Sequence, residues 1–241
     1  MGDIEPDISG LRELEAEDIK NDDPRLRPSH VSMEQYLEME MAAQTDKLTG
    51  LLNDRRFAMD LGNILRTGER NFALFFIDVN NLKEFNDEDK THALGDYIIV
   101  RTADLLREYA DVHTDQKYRF GKGDEFVLIA MNVTSNDDMK KIGRRLVSAF
   151  SGERDSKNKA LPSACIGGIW VDKKATDDDV KGAIFGADRA MYEAKQRASE
   201  VVMKHSGRKP SRFVAYNERK HGVLADLMRS PRTELAAFAQ K

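Results

Sequence analysis

The sequence predicts an α+β fold: a mixed or antiparallel sheet packed with helices in the order β-α-β-β-α-β, with additions at both ends. Three observations carry this. The stretch Phe72-Ala73-Leu74-Phe75-Phe76-Ile77 is apolar without alternation, as in a central strand buried on both faces. Two short strand patterns, Lys117–Phe120 and Glu125–Met131, flank Gly121-Lys122-Gly123-Asp124, whose glycines suit a tight hairpin. A further helix-then-strand pair follows that hairpin. At 241 residues the chain holds one ordinary domain with appendages.

In chain order, residues 1–31 mix Asp, Glu and Pro with few large apolar groups, the composition of a flexible acidic arm. Residues 32–45 form a helix, with Ser32 as its cap and Met33, Tyr36, Leu37 and Met41 on one face. Asp46-Lys47-Leu48-Thr49-Gly50 breaks it. A second helix runs from Asp54 to about Arg66 with Phe57, Leu61, Ile64 and Leu65 inward. The central strand spans Asn71 to Val79, and a helix from Ala93 to Tyr109 follows. After the hairpin come a helix over Asp137–Phe150, a strand over Ala160–Val171 and a long helix over Asp177–Arg197. The basic extension 205–241 has room for a last strand near 211–216 and a short amphipathic helix carrying Val223, Leu224, Leu227 and Met228. This order suits a ferredoxin-like arrangement with the helices on one face of the sheet.

Composition excludes several function classes. Hydrophobic residues are 40% and charged residues 33%, a globular balance with much solvated surface. The net charge of -4 offers no global basic field for nucleic acid. Cys165, the only cysteine, rules out an intramolecular disulfide or a Cys-rich zinc site, and its apolar neighbours predict a buried, inert thiol. The Met1–Pro6 segment lacks the features of a signal peptide, and no apolar run approaches the roughly 20 residues a membrane helix needs. The expected location is the cytoplasm, without a membrane partner.

The chemistry gathers where the apolar strand ends. Asp78 stands at that point, and a βαββ unit places the strand beside the hairpin that carries Asp124 and Glu125. Three carboxylates together repel unless something positive is present. Mg²⁺ (or Mn²⁺) suits such a site, because hard cations take one or two carboxylates plus phosphate oxygens. Phosphoryl transfer then needs mainly positioning and charge. Taken alone, Gly123-Asp124-Glu125-Phe126 reads better as a polar turn between two strands; Asp78 at the end of a wholly apolar strand weighs against that.

The motifs also resemble a known family. Asp46-Lys47-Leu48-Thr49-Gly50-Leu51-Leu52-Asn53, Phe76-Ile77-Asp78-Val79-Asn80-Asn81, His92-Ala93-Leu94-Gly95-Asp96, Tyr118–Phe126 and Ala187–Lys195 are similar, in this order, to the motifs of GGDEF domains, the diguanylate cyclases. The resemblance covers about residues 46–195, within a catalytic domain expected at 46–204, and implies a ferredoxin-like palm of the nucleotidyl cyclase type. It implies that Asp78, Asp124 and the Val79 carbonyl ligate Mg²⁺, and that Glu125 assists with metal or with deprotonating a ribose 3′-hydroxyl. Asn86 and Asp96 are then expected to read guanine, Lys83 and Lys195 to neutralise the triphosphate, and His92 to contact substrate or cap the next helix. The implied reaction joins two GTP into cyclic di-GMP in a homodimer, with the helix at 32–45 in the signalling or dimerising place. A regulatory protein acting through the terminal extensions is a further expected partner.

The pattern departs from the family in places. Lys122 separates the paired glycines, and the Asn86–Asp96 segment is a residue longer, with Lys90-Thr91 where glycine is common. Val112 stands where an arginine would partner Asp115, so product inhibition there is not expected. The Gly-Arg pair that usually follows Lys195 closely is absent there, and Gly207-Arg208 is the candidate for a displaced counterpart. These departures leave two alternatives open: a degenerate domain that binds GTP or docks a partner, or a related cyclase with another dinucleotide product.

Overall fold

In the computed structural model, which describes residues 32–89, 93–110, 114–121, 123–150, 162–205 and 209–224, the apolar run becomes the middle strand of a six-stranded sheet. The chain divides into two compact units, residues 1–41 and 42–241. In the first, the described part is the start of helix α1 (Met33–Gln44). Ser32 Oγ accepts the Gln35 N–H at 3.1 Å and Gln35 Oε1 accepts the Ser32 N–H at 2.9 Å, a reciprocal cap. Tyr36, Leu37, Met39 and Met41 are exposed on it.

The second unit is built of β1 (Leu52–Asn53), α2 (Asp54–Thr67), β2 (Phe72–Val79), α3 (Leu82–Asp89), α4 (Ala93–Tyr109), β3 (Gln116–Phe120), β4 (Glu125–Ala130), α5 (Asn136–Ala149), β5 (Ala164–Val171), α6 (Asp177–His205), β6 (Arg212–Ala215) and a helical turn α7 (Glu218–His221). The sheet order is β1-β3-β4-β2-β5-β6. β2 runs antiparallel to both β4 and β5, and β3 antiparallel to β4, which completes the βαββαβ core. Parallel pairs β1–β3 and β5–β6 extend it at either edge.

Helices cover both faces, where one had been expected. Along β2 the side chains alternate between two cores. Ala73, Phe75, Ile77 and Val79 pack with Ile98 and Leu106 of α4 and Met139 and Leu146 of α5. Phe72, Leu74 and Phe76 pack with Phe57 and Ile64 of α2 and Ile184 and Met191 of α6. A strand buried on both sides loses the alternation that would have announced two layers of helix. The other differences are at ends. The short helix α3 was not foreseen, α6 runs on to His205 instead of stopping near Arg197, and β5 begins at Ala164. The expected start of β5 at Ala160 lies outside the described residues, as do the 1–31 arm and the tail beyond Leu224. Among the described residues no helix is long and apolar enough to cross a membrane.

One contact sets the spacing of α6 against the sheet. Cys165 of β5 and Ala190, Ala194 and Ala198 of α6 form a small-residue seam. Beside it, a Cβ on Gly167 would run into the Ala187 carbonyl oxygen and the Met191 nitrogen, so helix backbone lies directly on the strand. Gly167→Val is expected to cost about 1–3 kcal/mol by overpacking. Gly62→Ala in α2, where a Cβ meets nothing within 4 Å, is expected to stabilise by up to about 1 kcal/mol. Urea unfolding, read as a shift of midpoint at unchanged slope, checks both.

Candidate active site at the end of the central strand

Parity along β2 decides where Asp78 points. It lies two residues beyond Phe76, so its side chain emerges on the α6 face. Its register partners are Glu125 on β4 and Cys165 on β5. Opposed residues in an antiparallel pair share a face, so Glu125 joins it there. The Val79 N–H donates to the Asp124 carbonyl oxygen at 3.0 Å, which ties the hairpin turn to the end of β2. Asp78 of β2, Asp124 of the hairpin turn and Glu125 of β4 are thus gathered at one end of the sheet.

The electrostatics follow from that gathering. Asp78 is only 5% exposed, and Lys195 Nζ of α6 lies 2.6 Å from its Oδ2. Burial pushes the Asp78 carboxyl up to about 6; Lys195 opposes the rise and the neighbouring Asp124 adds to it. Burial and then Asp78 likewise push Glu125 upward. Burial alone would make the Lys195 ammonium more acidic, yet the bond to Asp78 and the charges of Asp124 and Glu125 outweigh it and raise its pKa. Burial also pushes the Cys165 thiol up to about 11, in keeping with the inert thiol expected there. Among the described residues no group of three or more His, Cys, Asp or Glu side chains could by itself hold a metal ion. Two carboxylates with a backbone oxygen leave positions for phosphate oxygens or water, the usual ligation of Mg²⁺.

The other expected residues are placed less closely. Asn81, at φ 61°, turns the chain from β2 into α3, a left-handed conformation that Asn tolerates. Lys83 is exposed near the start of α3. Asn86 packs its amide directly on Gly95 of α4, so tightly that a Cβ at Gly95 would strike Asn86 Oδ1. That contact brings Asn86 close to the chain position of Asp96, which is exposed. His92 lies outside the described residues, and so do Lys122, Val112 and Gly207-Arg208.

Several contributors were not foreseen. Arg119, 8% exposed, donates from Nε and Nη2 to the Gly123 carbonyl at 3.2 and 3.0 Å, and from Nη1 to Asp46 at 3.1 Å. Asp46 in turn accepts the Thr49 N–H and hydroxyl at 2.9 and 2.7 Å, and Arg107 holds the Thr49 carbonyl. The Asp46–Gly50 turn and the Gly123-Asp124 turn are thereby joined through one guanidinium. An arginine in a predicted strand, two residues before the first glycine of a hairpin, was the available signal. Lys209 is a second cation close enough to lower the Asp78 pKa, and Asp188 adds negative charge near Glu125. Asn80 braces the strand end, donating from Nδ2 to Ser163 Oγ at 3.4 Å and to the Pro210 carbonyl at 3.3 Å.

A central strand ending in a carboxylate beside an acidic hairpin, faced by a lysine on the long helix, defines a candidate phosphoryl-transfer site on a palm-like sheet. Residues 43–200 match the GGDEF domain of diguanylate cyclases, and the chain belongs to that family. It is 37% identical over 110 residues to the diguanylate cyclase DgcS of Shewanella oneidensis, covering 44% of this chain and 36% of that protein. With the diguanylate cyclase DgcN of Escherichia coli it shares 30% identity over 162 residues, 65% of this chain and 38% of the other. The structure is similar to the GGDEF domain of TpbB (YfiN) from Pseudomonas aeruginosa, at 27% identity and a TM-score of 0.53, over 70% of this chain and 94% of that one. The chain spans between about a third and a half of the length of DgcS, of DgcN and of the diguanylate cyclase VdcA of Vibrio cholerae.

Arg119→Lys keeps the charge but loses the fork that reaches Gly123 and Asp46 together. It is expected to cost about 2 kcal/mol of stability, read from the urea midpoint.

Proposed function

We propose that this chain is a diguanylate cyclase: two copies, each holding one GTP, join them into cyclic di-GMP and release two pyrophosphates. In each half-reaction the 3′-oxygen of one ribose bonds to the α-phosphorus of the other GTP, the bond to pyrophosphate breaks, and the hydroxyl proton leaves to a base. The supporting observation is the convergence of Asp78, Asp124 and Glu125 at one sheet end with Lys195 bonded to Asp78.

Glu125 is the proposed base. Burial beside Asp78 raises its proton affinity, which favours taking the hydroxyl proton. Asp78, Asp124 and the Val79 carbonyl are the residues that would hold Mg²⁺ or Mn²⁺. The oxygen donor set fits a hard cation, and three carboxylates near two lysines leave negative charge to be balanced. The bound cation would neutralise the triphosphate and stabilise the leaving pyrophosphate. Lys195, on a flexible stem, supplies positive charge to the phosphates, with Lys83 further out. Asn86 and Asp96 are the proposed guanine readers, because a carboxylate accepts from the N1 and 2-amino donors. His92 lies nearby in sequence and is a proposed substrate contact.

The product requires two GTP, so two active sites must face each other. The exposed Tyr36, Leu37, Met39 and Met41 of α1 offer an apolar surface to a second copy. A cytoplasmic location, with regulation by a protein partner through the terminal extensions, completes the reading.

Incubation of the full chain with GTP and Mg²⁺ is expected to yield cyclic di-GMP and two equivalents of pyrophosphate, resolved by chromatography. Asp124→Asn should lower the rate by about a hundredfold or more, and removal of the divalent cation with EDTA should abolish it. GTP bound without turnover at concentrations that dimerise the chain would overturn the assignment.

A further inference from the structure

The span that matches the family ends at residue 200, yet the chain continues in an ordered segment that returns to α6. The Tyr216 N–H donates to the Gly168 carbonyl of β5 at 2.7 Å, which anchors the segment to the sheet. From there it touches α6 at two levels. At the lower level Leu224 seats on Gly182 and Gly186. A Cβ on Gly182 would come within 2.8 Å of Leu224 Cβ, and one on Gly186 within 2.9 Å of Leu224 Cδ2. At the upper level the Glu193 carboxylate receives His221 Nε2 at 2.6 Å and Lys220 Nζ, while Arg197 of its own helix holds the same group.

The histidine is built into this contact. His221 is buried, and its Nδ1 accepts the Asn217 N–H at 2.9 Å, which leaves the proton on Nε2 aimed at Glu193. The Tyr216 ring stacks on the imidazole at 5.5 Å, and its hydroxyl holds the Gly222 carbonyl. Asn217 Oδ1 accepts the Arg219 N–H at 3.0 Å and starts the turn that presents Lys220 and His221 together.

Glu193 stands two residues before Lys195 on the same helix. Helix α6 is therefore held by the sheet, through the Gly167 contact, and by this segment, whose Leu224 and Tyr216 meet it at Gly186 next to Ile169 of β5 and whose Lys220 and His221 meet it at Glu193. A translation of α6 along the sheet would draw Lys195 Nζ away from Asp78 and would also break the Glu193 and Leu224 contacts. We infer that residues 216–224 form a positioning strap: His221 on Glu193 and Leu224 on Gly182 and Gly186 fix α6 along the sheet and thereby set Lys195 against Asp78. His221 is a positioning residue that acts through Lys195. Its catalytic consequence rests on the reading of the site given under Proposed function.

The test is a double-mutant cycle on the full chain with His221→Ala, Lys195→Ala and both. Affinity is measured by calorimetry for an α,β-methylene GTP analogue with Mg²⁺, and KM and kcat for GTP alongside. His221→Ala is expected to weaken analogue binding and raise KM by about fivefold. In the Lys195→Ala background it should add nothing. His221→Gln, which can place an N–H near the Nε2 position, should recover most of the loss. Unchanged affinity in His221→Ala, or losses that multiply in the double variant, would overturn the inference. Amide hydrogen exchange over residues 187–200 provides a readout independent of nucleotide. Faster exchange in His221→Ala and in Leu224→Ala, without change in α2, supports the strap, and unchanged exchange refutes it. If the unaltered chain binds no analogue, the proposed function fails, and the exchange result alone decides the strap.

Discussion

The close approach of α6 to β5 is the constraint on which the rest of the site depends. Helix backbone meets strand backbone at Gly167, and the seam of Ala190, Ala194 and Ala198 keeps the helix near the sheet. A lysine stem has a fixed reach, so a helix held farther out would leave Asp78 buried without its ammonium. An unpaired buried carboxylate protonates or draws in water, and protonation would remove the charge with which Asp78 could hold a divalent cation. Backbone packing distance thus controls the electrostatics at the strand end.

The carboxylates show why the site is costly as well as useful. Burial raises the proton affinity of Asp78 and Glu125; the charge of Asp124 adds to it at Asp78, and the charge of Asp78 adds to it at Glu125. Lys195 and Lys209 offset part of that repulsion. Evidence of bracing surrounds the cluster: Arg119 gathers the Gly123 carbonyl and Asp46, and Asn80 joins β2 to the segments at Ser163 and Pro210. Buried polar groups of this kind are tolerable because they are fully hydrogen-bonded, and no buried side-chain nitrogen or oxygen among the described residues lacks a partner.

Much of this was legible in the sequence. The unbroken apolar run identifies β2, the glycine-bearing turn identifies the hairpin, and the ordered motifs identify the family. The second helical layer was not legible, because a strand buried on both faces gives no periodicity to assign Phe72 and Phe75 to different cores. Helix α3 was missed because its sequence, Leu82–Asp89, is mostly polar and it is launched by the left-handed Asn81. The extension of α6 was underestimated because the expected stop near Arg197 had no glycine or proline to enforce it. Arg119, Lys209 and the strap escaped notice for a common reason. Each acts through contacts between residues distant in the chain, which a single sequence does not display. Asp78, Asp124 and Glu125 were found because two adjacent strands make their proximity a matter of local topology.

The most direct measurement is a crystal structure of the chain with Mn²⁺ and a non-hydrolysable GTP analogue, with the cation located by its anomalous signal. The account predicts Mn²⁺ at about 2.1 Å from carboxylate oxygens of both Asp78 and Asp124, bridging them to the triphosphate. Manganese placed away from both carboxylates, or a nucleotide bound while Lys195 alone satisfies Asp78, would contradict it.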